Sequence, residues 1–147
     1  MNVPEIRVFA PDPLPPLTPD WLRAGIEDRL ALLTYLFCPE QEEPPEAVLA
    51  RLRVEKGAAG TLRVRWRPRM RYPIQVYRFG AEFADQRGMV LSEGDGDERR
   101  WRLAEAVDGV GVFQGYERDS MGWPTAMAVA ATVAASSRGF VVTTAGD

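Results

Sequence analysis

The sequence predicts an α+β domain in which a mainly antiparallel sheet packs against an N-terminal and a C-terminal helix. Three observations carry that prediction. A capped amphipathic helix lies near the start and an alanine-rich helix near the end. Between them run short alternating segments punctuated by Gly and Pro, the pattern of half-buried strands. At 147 residues the chain has the length of one ordinary domain, so residues 1–147 are expected to share a single core.

Residues 5–9, Glu-Ile-Arg-Val-Phe, read as a short strand, and Pro11 to Pro16 as an extended connector. The first helix opens at Thr18, a suitable N-cap. Pro19 stands at the position where its missing N–H costs nothing, and Asp20 complements the positive end of the helix dipole. Leu22, Ile26, Leu30, Leu33 and Phe37 recur at helical spacing. Arg23 and Glu27 are placed to pair at i,i+4, and Cys38-Pro39 ends the helix. An acidic, proline-broken loop spans 41–46, and a shorter helix runs from Pro45 to about Val54 with Val48, Leu49 and Leu52 on its apolar edge.

After a turn at 57–60, two alternating segments, Thr61 to Trp66 and Pro73 to Phe79, predict strands. The stretch from Phe83 to Leu91 is ambiguous, with Met89-Val90-Leu91 a candidate strand. Glu93 to Glu98 reads as a solvated turn. Arg100 to Val107 fits helix or strand, and Val110 to Tyr116 a glycine-bearing strand. The last helix is expected from about Pro124 to Ser137, apolar on all sides and therefore buried, with Gly139 as its left-handed stop. Phe140 to Thr144 reads as a final strand.

Much chemistry is excluded by composition. With no histidine, Ser-His-Asp and Cys-His catalysis and most zinc sites are ruled out, and the single cysteine, Cys38, removes thiolate-rich metal sites. Neither a phosphate-binding Gly-x-x-x-x-Gly-Lys-Ser/Thr loop nor a Gly-x-Gly-x-x-Gly dinucleotide fingerprint occurs. Cys38 closes an apolar helical run, which is the place of a buried structural thiol. Asp95 and Asp97 alternate with glycines as in a calcium loop, but Arg99, Arg100 and Trp101 occupy the second half of that pattern, so a solvated turn is expected. No metal or cofactor is expected. Paired-carboxylate catalysis stays open, because 21 Asp and Glu residues are available and sequence cannot say which two converge.

The start of the chain lacks the basic-then-apolar signature of a secretory signal, and its longest apolar run is far below the ~20 residues that span a bilayer, so a cytoplasmic protein without a membrane role is expected. The net charge of −3 argues against a nucleic-acid partner. Among 18 basic residues 17 are arginine, a bias that matches a GC-rich genome as well as it matches a functional demand.

One arginine run stands out. In Arg-Val-Arg-Trp-Arg-Pro-Arg-Met-Arg-Tyr, residues 63–72, an extended chain places Arg63, Arg65, Arg67, Arg69 and Arg71 on one face and Val64, Trp66, Met70 and Tyr72 on the other. The stripe would extend on the order of 25 Å. As a functional surface it would bind anions, a phosphate backbone or an acidic patch on a partner protein; as a structural one it is a solvated strand face whose like charges discourage edge pairing. Pro68 suggests an edge strand running into a loop. The acidic counterpart is Glu40, Glu42, Glu43 and Glu46, expected as a solvated loop.

The segment from Met121 to Thr143, Met-Gly-Trp-Pro-Thr-Ala-Met-Ala-Val-Ala-Ala-Thr-Val-Ala-Ala-Ser-Ser-Arg-Gly-Phe-Val-Val-Thr, resembles an ending common among small bacterial immunity proteins: a small-residue helix, a Ser/Gly turn and an apolar strand. The resemblance implies a cytoplasmic, non-catalytic inhibitor that binds a cognate toxin or effector. It carries over no site residues. The competing expectations are a small-ligand or carboxylate-dependent enzyme domain, and an adaptor of a phage or secretion assembly; pairing of two copies into a homodimer stays open.

Overall fold

The computed structural model describes residues 6–40, 43–67, 69–92, 97–113 and 121–143. Within these residues six strands form one sheet, ordered β2-β3-β4-β5-β1-β6, with every neighbouring pair antiparallel. The strands are β1 (Ile6–Ala10), β2 (Arg53–Lys56), β3 (Leu62–Arg65), β4 (Ile74–Arg78), β5 (Asp108–Phe113) and β6 (Phe140–Thr143). Five helices accompany them: α1 (Pro19–Phe37), α2 (Pro45–Arg51), α3 (Phe83–Ser92), α4 (Asp97–Glu105) and α5 (Gly122–Ser137). The α+β class and the two terminal helices are those the sequence predicts.

The helices divide the sheet into two packed layers. On one face Ile6, Val8, Leu62, Val64, Ile74, Val76, Val110 and Val112 meet α1, α2 and α5 through Leu22, Ile26, Leu30, Val48, Val129 and Val133. On the other, Phe9, Phe79 and Val142 meet α3 and α4 through Val90 and Leu103. Period-two alternation sets this division: in β1, Val8 faces the first layer and Phe9 the second. Phe9 sits among Phe79, Phe83 and Phe140 at centroid separations of 5.8, 6.2 and 5.9 Å.

α1 begins as its cap chemistry requires. The Trp21 amide donates to Thr18 Oγ1 at 3.3 Å, and the helix ends where the Cys38 amide donates to Thr34 O at 2.8 Å. Arg23 Nε bonds Glu27 Oε1 at 2.9 Å, while its other nitrogens donate to the carbonyls of Leu49 and Leu52 and tie α1 to α2. α1 and α5 approach closely at Gly25, where a Cβ would stand 2.1 Å from Thr132 Cγ2.

Several expectations are corrected. The second helix stops at Arg51, and Val54 belongs to a strand, β2, that the pattern did not reveal. Met89-Val90-Leu91 is helical, because Gln86 and Val90, one turn apart, are the buried residues of α3. Of the alternatives for 100–107, helix is correct as far as Glu105. β5 runs from Asp108 to Phe113; the expected continuation to Tyr116 lies outside the described residues, as do Thr144, Glu42 and Asp95. Asp97 opens α4 and is not part of a turn. The left-handed residue after α5 is Arg138, at φ 54°, and not Gly139. Gly139 serves a different need: it passes β1 so closely that a Cβ would lie 2.7 Å from the Phe9 carbonyl oxygen. No helix of the described residues is long and apolar enough to cross a membrane.

Candidate interaction surface

On the second face of the sheet α3 and α4 cover the aromatic cluster around Phe9. Under α3 the fully buried Arg7 donates from Nε to Gln86 Oε1 at 2.9 Å, and Gln86 is itself fully buried. The Tyr77 ring crosses β5 over Gly111, where a Cβ would sit 2.7 Å from Tyr77 Cζ. At the other end of this face, on β2, β3 and the start of β4, no described helix overlies the sheet. This region carries Arg53, Glu55, Arg63, Arg65 and Gln75, with Glu55 opposite Arg63, Arg53 opposite Arg65, and Gln75 on the far side of Arg63.

The predicted arginine stripe is only partly realised. Arg63 and Arg65 share this face of β3, with Leu62 and Val64 buried on the other. β3 ends at Arg65, and the chain then turns. Trp66 and Met70 are buried, the Trp66 amide lying 3.2 Å from Met70 Sδ, and these two anchors pull the segment out of the extended form. Arg67, Arg69 and Arg71 therefore belong to the loop after the strand, Arg67 half-buried and the other two exposed. Arg71 lies over the Tyr72 ring at 5.5 Å, and Tyr72 is exposed where alternation predicted it inward. The expectation of an edge strand fails as well: β3 is flanked by β2 and β4, and β2 is the edge.

Part of the positive charge is used within the fold. Arg65 is paired with Glu55, a diagonal neighbour on β2. Arg63 lies along Gly57, whose missing Cβ would come within 3.0 Å of Arg63 Nε. Residues 63–81 contain no acidic residue, so on the β3 face and the following loop arginines outnumber the one acidic neighbour described, Glu55, and Tyr72 is exposed among them. Of the acidic loop, Glu43 pairs with Arg51 at 2.7 Å and Glu40 is exposed, while Glu42 lies outside the described residues.

Other features offer less chemistry. A groove of about 280 Å³ lies between α1 and α5, floored by Gly25 with Asp28 on its rim. A smaller one, about 170 Å³, lies beside α4 and contains Glu105, Arg102 and Arg138. Neither brings two carboxylates together. Among the described residues no group of three or more His, Cys, Asp or Glu side chains could hold a metal ion. Cys38 is buried, as its place in the sequence implied. Asp12 accepts a two-pronged bond from Arg138 at 2.7 and 2.9 Å, and this hydrogen bonding holds its carboxyl below the ordinary range against the opposing effect of desolvation.

A feature that the apolar pattern did not single out lies on α1. Leu32, Tyr35, Leu36 and Phe37 are exposed at 62, 73, 57 and 47%, so the last of these leaves the predicted core stripe. The signal was present: Leu32, Tyr35 and Leu36 stand at i, i+3 and i+4, a second apolar stripe beside the first. Comparison with protein-family models, curated proteins and solved structures finds no match to this chain.

Proposed function

We propose that the chain is a non-catalytic binding protein, and specifically a cytoplasmic immunity protein that neutralises a cognate toxin or effector by direct contact. The observation that carries the reading is the arginine surface of Arg63, Arg65, Arg67, Arg69 and Arg71, whose strand portion no described helix covers. Guanidinium groups in fixed positions suit an acidic partner surface, where each offers directional, charge-assisted hydrogen bonds. The partner is a protein, because the whole chain is acidic, with a pI near 5.1, and that opposes general nucleic-acid binding.

The test is binding of the purified chain to the product of the adjacent gene, measured by calorimetry at two salt concentrations. A one-to-one complex that protects cells from that product is expected. The Arg63→Glu, Arg69→Glu double variant should weaken it at least tenfold while circular dichroism stays unchanged, and the loss should shrink at high salt. A complex indifferent to both substitutions would remove the arginine surface from the reading. No complex at all would remove the immunity function.

A further inference from the structure

We propose that α1 is the contact surface of a symmetric homodimer in which Tyr35 and Leu36 of each copy enter the α1–α5 groove of the other. The inference rests on neither the arginine surface nor the immunity reading.

Trp21, Ala24, Gly25, Asp28, Arg29, Leu32, Tyr35 and Leu36 stand at i, i+3, i+4, i+7, i+8, i+11, i+14 and i+15 and so share one face of α1. The first five line the groove, together with Thr132, Ala135 and Ser136 of α5. The last three project from the surface as exposed apolar side chains. A hole and a set of knobs therefore lie on the same helix face, with Gly25 and Tyr35 about 15 Å apart along the axis. That arrangement is self-complementary under a two-fold rotation, the operation by which most homodimers form. With α1 antiparallel to its copy and the axis crossing near residue 30, Tyr35 stands level with the second copy's Gly25, and Leu36 with its Ala24. Leu32, two residues from the axis, then stands level with the second copy's Asp28 and about 6 Å along the helix from its Leu32.

The chemistry of the groove fits this occupant. At about 280 Å³ it falls just below the ~300–1,000 Å³ typical of small-molecule sites, yet it has room for one aromatic side chain. Gly25 lies at its floor against Thr132 of α5, whose side chain occupies the space that a Cβ would take. Asp28 and the Ser136 hydroxyl, which donates to Val133 O at 2.8 Å and keeps its lone pairs, offer acceptors to an entering tyrosine O–H. Arg29 at the same rim can lie against the ring face.

Area points the same way. The three exposed apolar side chains on this face leave roughly 350 Å² of surface per chain, within the range of the largest patch on a soluble monomer. Pairing that covers both copies and the groove walls brings the total to about 800 Å², the size of a weak, transient contact. A reversible dimer in the micromolar range is the corresponding affinity.

Sedimentation of the full chain between about 1 and 200 μM tests the proposal. Dimerisation is expected across that range, and Leu36→Glu should raise the dissociation constant at least thirtyfold with an unchanged circular dichroism spectrum. Ala24→Trp, which fills the groove from its rim, should do the same without touching a knob. The register is read by oxidising a mixture of Ala24→Cys and Leu36→Cys proteins: the 24–36 disulfide should dominate over 24–24 and 36–36. A monomer throughout overturns the proposal, and so does a dimer indifferent to both surface substitutions. A dominant 36–36 cross-link overturns the antiparallel pairing. A monomer whose binding of the toxin is lost with Leu36→Glu assigns the face to that partner and likewise sinks the homodimer.

Discussion

Alanine at a glycine inside a helix usually stabilises it, by about 1 kcal/mol. At Gly25 the structure predicts the opposite sign. An added Cβ would lie 2.1 Å from Thr132 Cγ2, 2.5 Å from its Oγ1 and 2.8 Å from its Cβ, whereas carbon atoms rest at ~3.5–4.0 Å. No rotation of Thr132 removes the clash, because Cγ2 and Oγ1 are both too close and the Cβ that carries them is close as well. The two helices must separate along their closest approach, beside the larger core. Overpacking of this kind costs ~1–3 kcal/mol and sometimes more, and it has to outweigh the propensity gain. A net loss of about 2 kcal/mol is expected for Gly25→Ala, or a fall in Tm of roughly 4–8 °C for a chain of this size. The assay is urea unfolding followed by far-ultraviolet circular dichroism, at a concentration low enough to keep the chain monomeric. Thr132→Ala supplies the second half of a double-mutant cycle. Its hydroxyl bonds only to Ala128 O in its own helix, so removing it orphans no distant donor. The pair should recover at least about 1 kcal/mol relative to additivity. Stabilisation by Gly25→Ala alone, or additivity within ~0.5 kcal/mol, would refute the reasoning.

Two further perturbations probe polar features. The folded-state pKa of Asp12 lies below its ordinary value of 3.8, so the Asp12–Arg138 pair contributes stability that is present above about pH 4 and lost as pH falls through that lower folded value. Asp12→Asn should therefore lower Tm near neutrality, and the loss should shrink as pH falls below about 4; a loss independent of pH would contradict the assignment. Gln86→Leu removes an acceptor from a buried guanidinium, whose hydrogen bonds are worth about 1.5–3 kcal/mol, and should lower unfolding stability by that order. A variant as stable as the parent would show that this bond does not hold α3 to β1.

The parts of the fold legible in the sequence are those where local chemistry and burial agree. Thr18-Pro19-Asp20 names the start of α1 because a cap, a fixed φ and a dipole partner all coincide there. Val64, Ile74 and Val76 alternate because one face of their strands packs against α1 and α5. Legibility fails where tertiary contacts decide. Arg-Val-Glu-Lys of β2 has one apolar residue and reads as the end of a helix; it is a strand because β3 is beside it to pair with. Gly139 was correctly seen as special and assigned the wrong reason, since sequence shows a glycine's presence but not whether its φ or its missing Cβ is needed.

The candidate surfaces divide along the same line. The arginine alternation correctly placed Arg63 and Arg65 together, and it failed at Trp66 because it took the period of a strand for its length. Trp66 and Met70 do face inward as alternation requires, but β3 ends at Arg65, so Arg67, Arg69 and Arg71 follow in the loop and not on the strand face. On α1 the apolar residues were counted as one stripe for one core. Thr34 and Gly25, neither of them strongly apolar, take buried positions, and Leu32, Tyr35 and Leu36 are left outside. A helix with that exchange has spent small residues on close approach to α5 and kept large ones at the surface. Burial against its own chain explains the first choice; the second is what the proposed pairing of α1 with its copy would use.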